Sequence, residues 1–288
     1  TGKKIKIGVF CIDDNDFWHT LRRGVIYAKK ELEVHGAIVR YAFFPAWGDM
    51  LAQMPGLMDR MMKENFDGYV LPGFFVGTIE EKIQEVLKMG KKVFLLNDDT
   101  TDKSLRNAIF QQDAADAASM AAKLLANAIG KKGNVLLVEA SREMVANCIR
   151  SDAFQDALDQ YRRINLDLIH GDIPEDVAYK QLAEYLAEHP NTDGIYVTTG
   201  MGAACARAVE DSGVNAKLVV YDHTQEIFQY IKKGYIAAAI GQDPFSQGHD
   251  PVVWMYNCIV TGEALPSEYM KCRSSIVDKT NVDNLIEV

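Results

Sequence analysis

The chain opens on the stretch that decides its fold class, Ile5-Lys6-Ile7-Gly8-Val9-Phe10-Cys11-Ile12. These residues are almost continuously apolar, which is typical of a parallel strand covered by helices on both faces. Residues 17–34 follow with apolar side chains at helical spacing, and Gly36 ends that pattern. A buried strand leading directly into a helix predicts an α/β fold.

The same alternation continues along the chain, with a second helix predicted over residues 50–64. Ten segments are predicted as strands: 5–12, 37–43, 68–71, 92–96, 108–110, 134–138, 166–169, 194–197, 218–221 and 237–240. Ten strands exceed a comfortable single open sheet, and their spacing is too irregular for an eight-stranded barrel. We therefore expect two doubly wound sheets and two lobes.

Composition limits the function classes. The 288 residues are 48% apolar, 25% charged and 9% aromatic, which is typical of a globular chain long enough for two domains. The net charge of −9 is expected to repel phosphate backbones and anionic lipids, so we expect no DNA binding by this chain alone. No apolar run reaches about 18 residues, which is the length that a membrane-spanning helix needs.

Five cysteines, an odd number at wide spacings, predict no disulfide framework: Cys11, Cys148, Cys205, Cys258 and Cys272. Most lie in apolar runs, and buried free thiols are typical of a reducing compartment. The cysteines therefore favour a cytoplasmic location, with the periplasm or a cell-surface lipoprotein as the alternative.

The loops that follow the predicted strands are polar and aromatic, and open parallel sheets bind ligands at the carboxyl ends of their strands. The side chains there are those of residues 13–18, 97–100, 198–199, 222–224 and 242–243, together with Arg150 on the helix after the strand predicted over residues 134–138. Carboxylate, amide and guanidinium groups supply fixed donors and acceptors, and aromatic faces cover C–H surfaces. This mixture is suited to a small ligand that is rich in hydroxyl groups.

Motifs for catalysis, metals and cofactors are missing from the sequence. Asp13, Asp14 and Asp16 do not fit a calcium-binding loop, and capping of the first helix by Asn15 or Asp16 is the favoured interpretation. The six histidines lack metal-ligand spacing, and no nucleophile elbow, phosphate-binding loop or Cys-x-x-Cys pair is present. We therefore predict binding without catalysis, metal or cofactor.

For three features, the sequence leaves two interpretations open. Asp98 and Asp99 could form an acid and base pair, but a solvated turn is favoured. Arg150 is either a surface ion-pair partner of Asp152 or Asp156, or a fork that binds vicinal hydroxyls. The aromatic side chains at positions 43, 44, 47, 74 and 75 either line a ligand site or cover the sheet ends.

Four stretches together carry a resemblance to a known superfamily. They are Ile7-Gly8-Val9 leading to Asn15-Asp16-Phe17-Trp18, the segment from Arg150 to Phe154, Asp222 at a strand end, and Ala238-Ala239-Ile240-Gly241-Gln242-Asp243-Pro244. With these residues the chain resembles the type I periplasmic-binding-protein superfamily over essentially its whole length. Within it, the similarity is to ribose-binding-protein-like solute receptors and to the effector domains of LacI/GalR-type regulators.

The resemblance implies two Rossmann-like, doubly wound parallel-sheet lobes joined by three crossovers, with the ligand in the cleft between them. The lobes would be residues 1–111 with 243–270, and residues 112–242 with 271–288. The implied ligand-binding residues are Asn15, Phe17, Trp18, Asn97, Asp98, Arg150, Thr199, Asp222 and Gln242. Of these, Phe17 and Trp18 would sandwich a sugar ring.

Departures from the superfamily pattern leave the sugar undefined, since Ala153 stands in place of the usual glycine and Thr199 in place of Asn or Asp. The favoured function is the effector-sensing domain of a transcriptional regulator without its DNA-binding headpiece, in which a monosaccharide or polyol binds reversibly. The alternative is the solute-binding protein of a sugar ABC transporter, whose partner is a membrane permease. A homodimer is also considered.

Overall fold

The computed structural model describes residues 4–171 and 175–284 as an α/β protein made of two compact units. The first unit runs to Gln112 and includes Asp243–Arg273, and the second comprises Asp113–Gln242 and the described residues from Ser274 onward. The chain thus passes between the units after residues 112, 242 and 273. The predicted class, two doubly wound parallel-sheet units joined by three crossovers, is confirmed.

Twelve strands are present in the described part of the chain. They are β1 (Lys6–Ile12), β2 (Ile38–Phe44), β3 (Gly68–Pro72), β4 (Lys92–Leu96), β5 (Ala108–Gln112), β6 (Gly133–Glu139), β7 (Ile164–His170), β8 (Thr192–Val197), β9 (Lys217–Tyr221), β10 (Ile236–Gly241), β11 (Tyr269–Cys272) and β12 (Ser275–Asp278). The first sheet has the order β11-β5-β4-β3-β1-β2, and the second has the order β12-β10-β9-β8-β6-β7. All neighbours are parallel except β10 and β12. The carboxyl ends of the parallel strands of each sheet therefore meet along one edge.

Nine α-helices connect these strands in the described part of the chain. They are α1 (Asp16–Glu33), α2 (Trp47–Lys63), α3 (Glu80–Lys88), α4 (Ala114–Ala128), α5 (Val145–Leu158), α6 (Glu175–Glu188), α7 (Gly202–Ser212), α8 (Gln225–Lys233) and α9 (Pro244–Thr261). Short 3-10 helices cover Gly73–Ile79, Lys103–Leu105 and Val282–Asn284. No helix among the described residues is long and apolar enough to span a membrane.

The structure differs from the sequence prediction mainly after α9. The four-residue strands β11 and β12 were not predicted, because their half-exposed side chains form no apolar run. β11 pairs with β5 in the first sheet, so residues 271–273 lie in the first unit and not in the second as expected. Residues 1–3 and 285–288 of the predicted lobes lie outside the described residues.

The core of the first unit includes a close crossing of α1 and α9. A Cβ atom at Gly24 of α1 would lie 2.2 Å from the carbonyl oxygen of Phe245, and one at Gly248 of α9 would lie 2.1 Å from that of Leu21. Real Cβ atoms do not approach oxygen so closely, so glycine at these two positions lets the helix backbones touch. This contact holds α9, which begins directly after the crossover at residue 242, against α1.

In the second unit the sheet is buried on both faces. One face packs under α6, α7 and α8, with a core that includes Leu136 and Val220. The other face packs under α4 and α5, with a core that includes Leu137 and Phe154. Successive residues of a strand thus face opposite sides of the sheet, and both sides are buried. This explains why the strands are continuous apolar runs in the sequence.

Candidate functional site

Asn15 stands between β1 and α1 in the first unit and caps the helix. Its Oδ1 accepts hydrogen bonds from the backbone nitrogens of Phe17 at 3.0 Å and Trp18 at 3.3 Å. The cap satisfies two amides that the first helical turn would otherwise leave unpaired. The predicted capping role is confirmed, and the side chain of Asn15 is exposed.

The neighbouring acidic loop is tied to the same helix. The Asp13 carboxylate accepts a hydrogen bond from Arg22 Nη1 at 2.5 Å. Burial of Asp14, together with repulsion from Asp13, raises the pKa of the Asp14 carboxyl. No group of three or more His, Cys, Asp or Glu side chains in residues 4–171 and 175–284 could hold a metal ion.

Phe17 and Trp18 differ in their surroundings. Their rings meet edge to face with centroids 5.0 Å apart, and Trp18 also meets Phe74 edge to face at 6.1 Å. Trp18 is only 7% exposed and belongs to the core of the first unit, whereas Phe17 is half-buried at its margin. Trp18 is therefore a core side chain of the first unit, and we expect its removal to destabilise the fold.

Asn97 and Asp98 lie at the carboxyl end of β4. Asn97 is half-buried and has a left-handed backbone with φ of 66°, a conformation that asparagine tolerates better than most residues. Its Nδ2 donates to Oε1 of Gln247 on α9 at 3.3 Å. Asp98 is fully buried, and its carbonyl oxygen accepts from the Gly73 nitrogen at 3.0 Å. Of the two predicted ligand contacts, Asn97 thus has the more accessible side chain.

Asp99 belongs to an ion-pair cluster and not to a solvated turn, which corrects the favoured expectation for this pair. Its carboxylate accepts from Arg106 Nε at 2.7 Å and Lys103 Nζ at 2.7 Å. Burial alone would raise the pKa of Asp99, but the hydrogen bonds from Arg106 and Lys103 outweigh it and lower that pKa. A carboxyl held in its ionised form by two cations is poorly suited to proton transfer.

Arg150 lies on α5 in the second unit and is 6% exposed. Its Nη1 donates to the Thr198 carbonyl oxygen at 2.9 Å, and its Nη2 donates to Gln242 Oε1 at 2.5 Å. The guanidinium carbon also lies 3.9 Å from the ring centroid of Tyr221, within the range of a cation–π interaction. The interpretation of Arg150 as a surface ion-pair member is therefore wrong.

Gln242 extends this arrangement to Asp222. Its Nε2 donates to Asp222 Oδ1 at 2.7 Å, so that Arg150, Gln242 and Asp222 form a continuous polar chain at the ends of β9 and β10. Burial raises the pKa of the Asp222 carboxyl, and Gln242 and Arg150 only partly offset this effect. Asp222 has a left-handed backbone with φ of 72°, and strained positions of this kind concentrate at functional sites.

Thr199, at the carboxyl end of β8, presents a polar atom with unused hydrogen-bonding capacity. Its Oγ1 is buried and has no hydrogen-bond partner among the described residues. The preceding residue, Thr198, accepts a hydrogen bond from Arg150 with its carbonyl oxygen. Thr199 is therefore next in sequence to a residue that Arg150 contacts. A buried hydroxyl without a partner costs free energy, which a ligand group could recover by pairing with it.

Some residues that contact the predicted site residues were not themselves predicted to belong to the site. Tyr221 lies beneath the Arg150 guanidinium and exchanges a hydrogen bond with Tyr196 at 2.8 Å between the hydroxyl oxygens. Tyr221 directly precedes Asp222, which could have signalled its position. Gln247 holds Asn97, but it lies within a helix and gives no strand-end signal.

Each unit therefore carries its own set of predicted residues at the carboxyl edge of its sheet. Asn15, Phe17, Trp18, Asn97 and Asp98 belong to the first unit. Arg150, Thr199, Asp222 and Gln242 belong to the second, and direct bonds link Arg150, Gln242 and Asp222. One cation donates, the carboxylates accept, and the amides do both, so these groups are suited to hydroxyl groups, which also donate and accept.

The fold and these strand-end groups are those of a two-unit α/β binding protein. A family model for the periplasmic binding protein domain matches residues 8–264, and the chain belongs to this family. The predicted resemblance to the type I periplasmic-binding-protein superfamily is thereby confirmed. A sequence search among curated proteins found no match.

Solved structures with the same fold cover nearly the entire chain. GanP, a glucose-galactose binding protein from Geobacillus stearothermophilus, is 24% identical, with 97% of this chain and 99% of that chain covered and a TM-score of 0.83. A periplasmic solute binding protein of an ABC transporter from Actinobacillus succinogenes 130z, solved with D-allose, is 21% identical, with 98% and 100% covered and a TM-score of 0.85. AraP, an arabinose binding protein from Geobacillus stearothermophilus, is 18% identical, with 99% and 100% covered and a TM-score of 0.82.

Proposed function

We propose that this protein is a reversible receptor for a small sugar and serves an ABC transporter as its solute-binding protein. The observation that carries the proposal is the chain of hydrogen bonds from Arg150 through Gln242 to Asp222. It holds a donor and an acceptor in fixed positions at one sheet edge, and such preorganised groups bind a polar ligand without a large ordering cost.

A neutral, hydroxylated ligand suits these groups better than an anionic one. Asp222 presents a buried carboxyl group, and burial already disfavours its negative charge, so a second negative charge beside the ionised group would be unfavourable. Asn15 and Thr199 add neutral hydrogen-bonding groups, and Phe17 adds a half-buried ring face for C–H surfaces. A monosaccharide fits this chemistry, and the protein would release it chemically unchanged.

The transport interpretation replaces the regulator domain that the sequence favoured. Family membership and neighbours described as ABC transporter solute-binding proteins support it. The five cysteines are free, but this argument for a cytoplasmic location is weaker than the neighbours' description as periplasmic proteins. We accordingly propose an extracytoplasmic location and a membrane permease as the partner.

Isothermal titration calorimetry against a panel of monosaccharides tests this proposal. D-Glucose, D-galactose, D-ribose, D-arabinose and D-allose are the probes, with ATP and NAD as controls of another ligand class. We expect saturable binding of at least one sugar, which NMR of the recovered ligand shows to be unaltered. Binding of a nucleotide without any sugar, or conversion of the sugar, would contradict the proposal.

A further inference from the structure

The first unit carries a continuous series of aromatic rings that extends beyond the predicted ligand contacts. The rings are those of Phe17, Trp18, Phe74 and Trp47, and we refer to them as the aromatic row. Centroids of successive rings are 5.0, 6.1 and 4.5 Å apart. The first two contacts are edge to face, whereas Trp47 and Phe74 are stacked with an interplanar angle of 22°.

The topology places the far end of the aromatic row at the same sheet edge as its beginning. Trp47 is the first residue of α2 and follows the carboxyl end of β2, while Phe74 follows the carboxyl end of β3. Both strands flank β1, whose own carboxyl end leads to Phe17. The aromatic row therefore spans three adjacent strand ends at the edge where α/β sheets bind ligands.

Trp47 remains 41% exposed although it stacks on Phe74 and lies 4.6 Å from the ring centroid of Phe75. Phe75 is fully buried and needs no further cover. The helix surface at the next residue is also open, because a Cβ atom built on Gly48 would meet no atom within 4 Å outside the neighbouring residues. The exposed part of the indole is an apolar aromatic surface that a ligand at this sheet edge can contact.

We propose that Trp47 and Phe74 form a second stacking position, so that the preferred ligand is a short oligosaccharide of at least two linked rings. This inference rests on the proposed function, since the first ring binds beside Asn15 and Phe17. Aromatic faces stack on the C–H faces of sugar rings, and the continuity of the aromatic row carries a second ring towards Trp47. The hydroxyl groups of that ring stay in water.

Calorimetry with matched mono- and disaccharides tests the inference through a ratio of affinities. Lactose, maltose and cellobiose are each compared with D-glucose and D-galactose on the wild-type protein and its variants. In Trp47→Ala we expect the affinity ratio of the best disaccharide to its monosaccharide to fall about tenfold, and Trp47→Phe restores most of it.

A steric variant and a matched control complete the design. Gly48→Leu places a bulky side chain directly after Trp47 and lowers the same ratio. Gly56→Leu makes the same change at another exposed glycine of α2 and leaves the ratio unaltered. If the wild type binds monosaccharides but no disaccharide more tightly, or if Trp47→Ala leaves the ratio unchanged, the second stacking position is refuted. If the wild type binds no sugar of either class, the proposed function itself is refuted.

Discussion

Substitution of Arg150 by alanine is the sharpest test of the binding groups in the second unit. The buried guanidinium donates to the Thr198 carbonyl and to Gln242 Oε1, and it lies over Tyr221. Hydrogen bonds from a charged donor contribute about 1.5 to 3 kcal/mol, so loss of one to a bound sugar raises Kd about 10- to 150-fold. The variant also leaves two buried acceptors without this donor, and we expect a lower thermal midpoint.

The same substitution changes the pH dependence of binding through Asp222. Arg150 opposes the effect of burial, which raises the pKa of Asp222, so that pKa rises further in Arg150→Ala. Protonation converts the carboxylate from a pure acceptor into a donor. Binding that depends on the carboxylate therefore declines at a higher pH in the variant than in the wild type as the solution is acidified.

Calorimetric titrations over a series of pH values, at a temperature where circular dichroism shows both proteins folded, measure Kd and its pH midpoint. Arg207→Ala is the matched control, since the exposed Arg207 also lies over a tyrosine ring, that of Tyr179, at 4.9 Å. An Arg150→Ala variant with unchanged Kd and an unshifted midpoint would refute the role of Arg150 in binding.

Three further predictions concern stability. Asp222→Asn raises the thermal midpoint at neutral pH, because burial disfavours the charged carboxyl, and it weakens sugar binding. The gain in thermal midpoint disappears as the pH falls through the pKa of Asp222. Trp18→Ala lowers the free energy of unfolding in urea by about 3 to 5 kcal/mol and Phe17→Ala by clearly less; equal losses would contradict their different burial. Gly24→Ala lowers the thermal midpoint, whereas Gly56→Ala does not; a neutral Gly24→Ala would show that the α1 and α9 backbones can separate without cost.

The fold was predictable because its signals are local. A strand covered on both faces must be apolar at every position, so β1, β4 and β9 stand out in the sequence. The short strands β11 and β12 lack that signal, since half their side chains face outward and only pairing with β5 and β10 makes them strands. Whether such a segment forms a strand is therefore decided by the partner strand and not by its own sequence.

The candidate site was predictable at the strand ends and less so around them. Asn15 and Arg150 follow strands, so their positions could be inferred from topology. The burial of Trp18 and of Asp98 could not, because it depends on rings and loops that come from distant parts of the sequence. The ion pairs of Asp99 were equally invisible, since a run of acidic residues resembles a solvated turn until its cations are in place.

The late position of α9 and β11 in the sequence has a consequence for biosynthesis. The ribosome makes residues 113–242 of the second unit before it makes α9 and β11, the last helix and the last strand of the first unit. Until then the groove on α1 beside Leu21 and Gly24, where α9 docks, stays uncovered, and such surfaces attract chaperones and invite aggregation. The second sheet also waits for β12, which pairs with β10, so neither unit reaches its native state until the chain after Gln242 has been made.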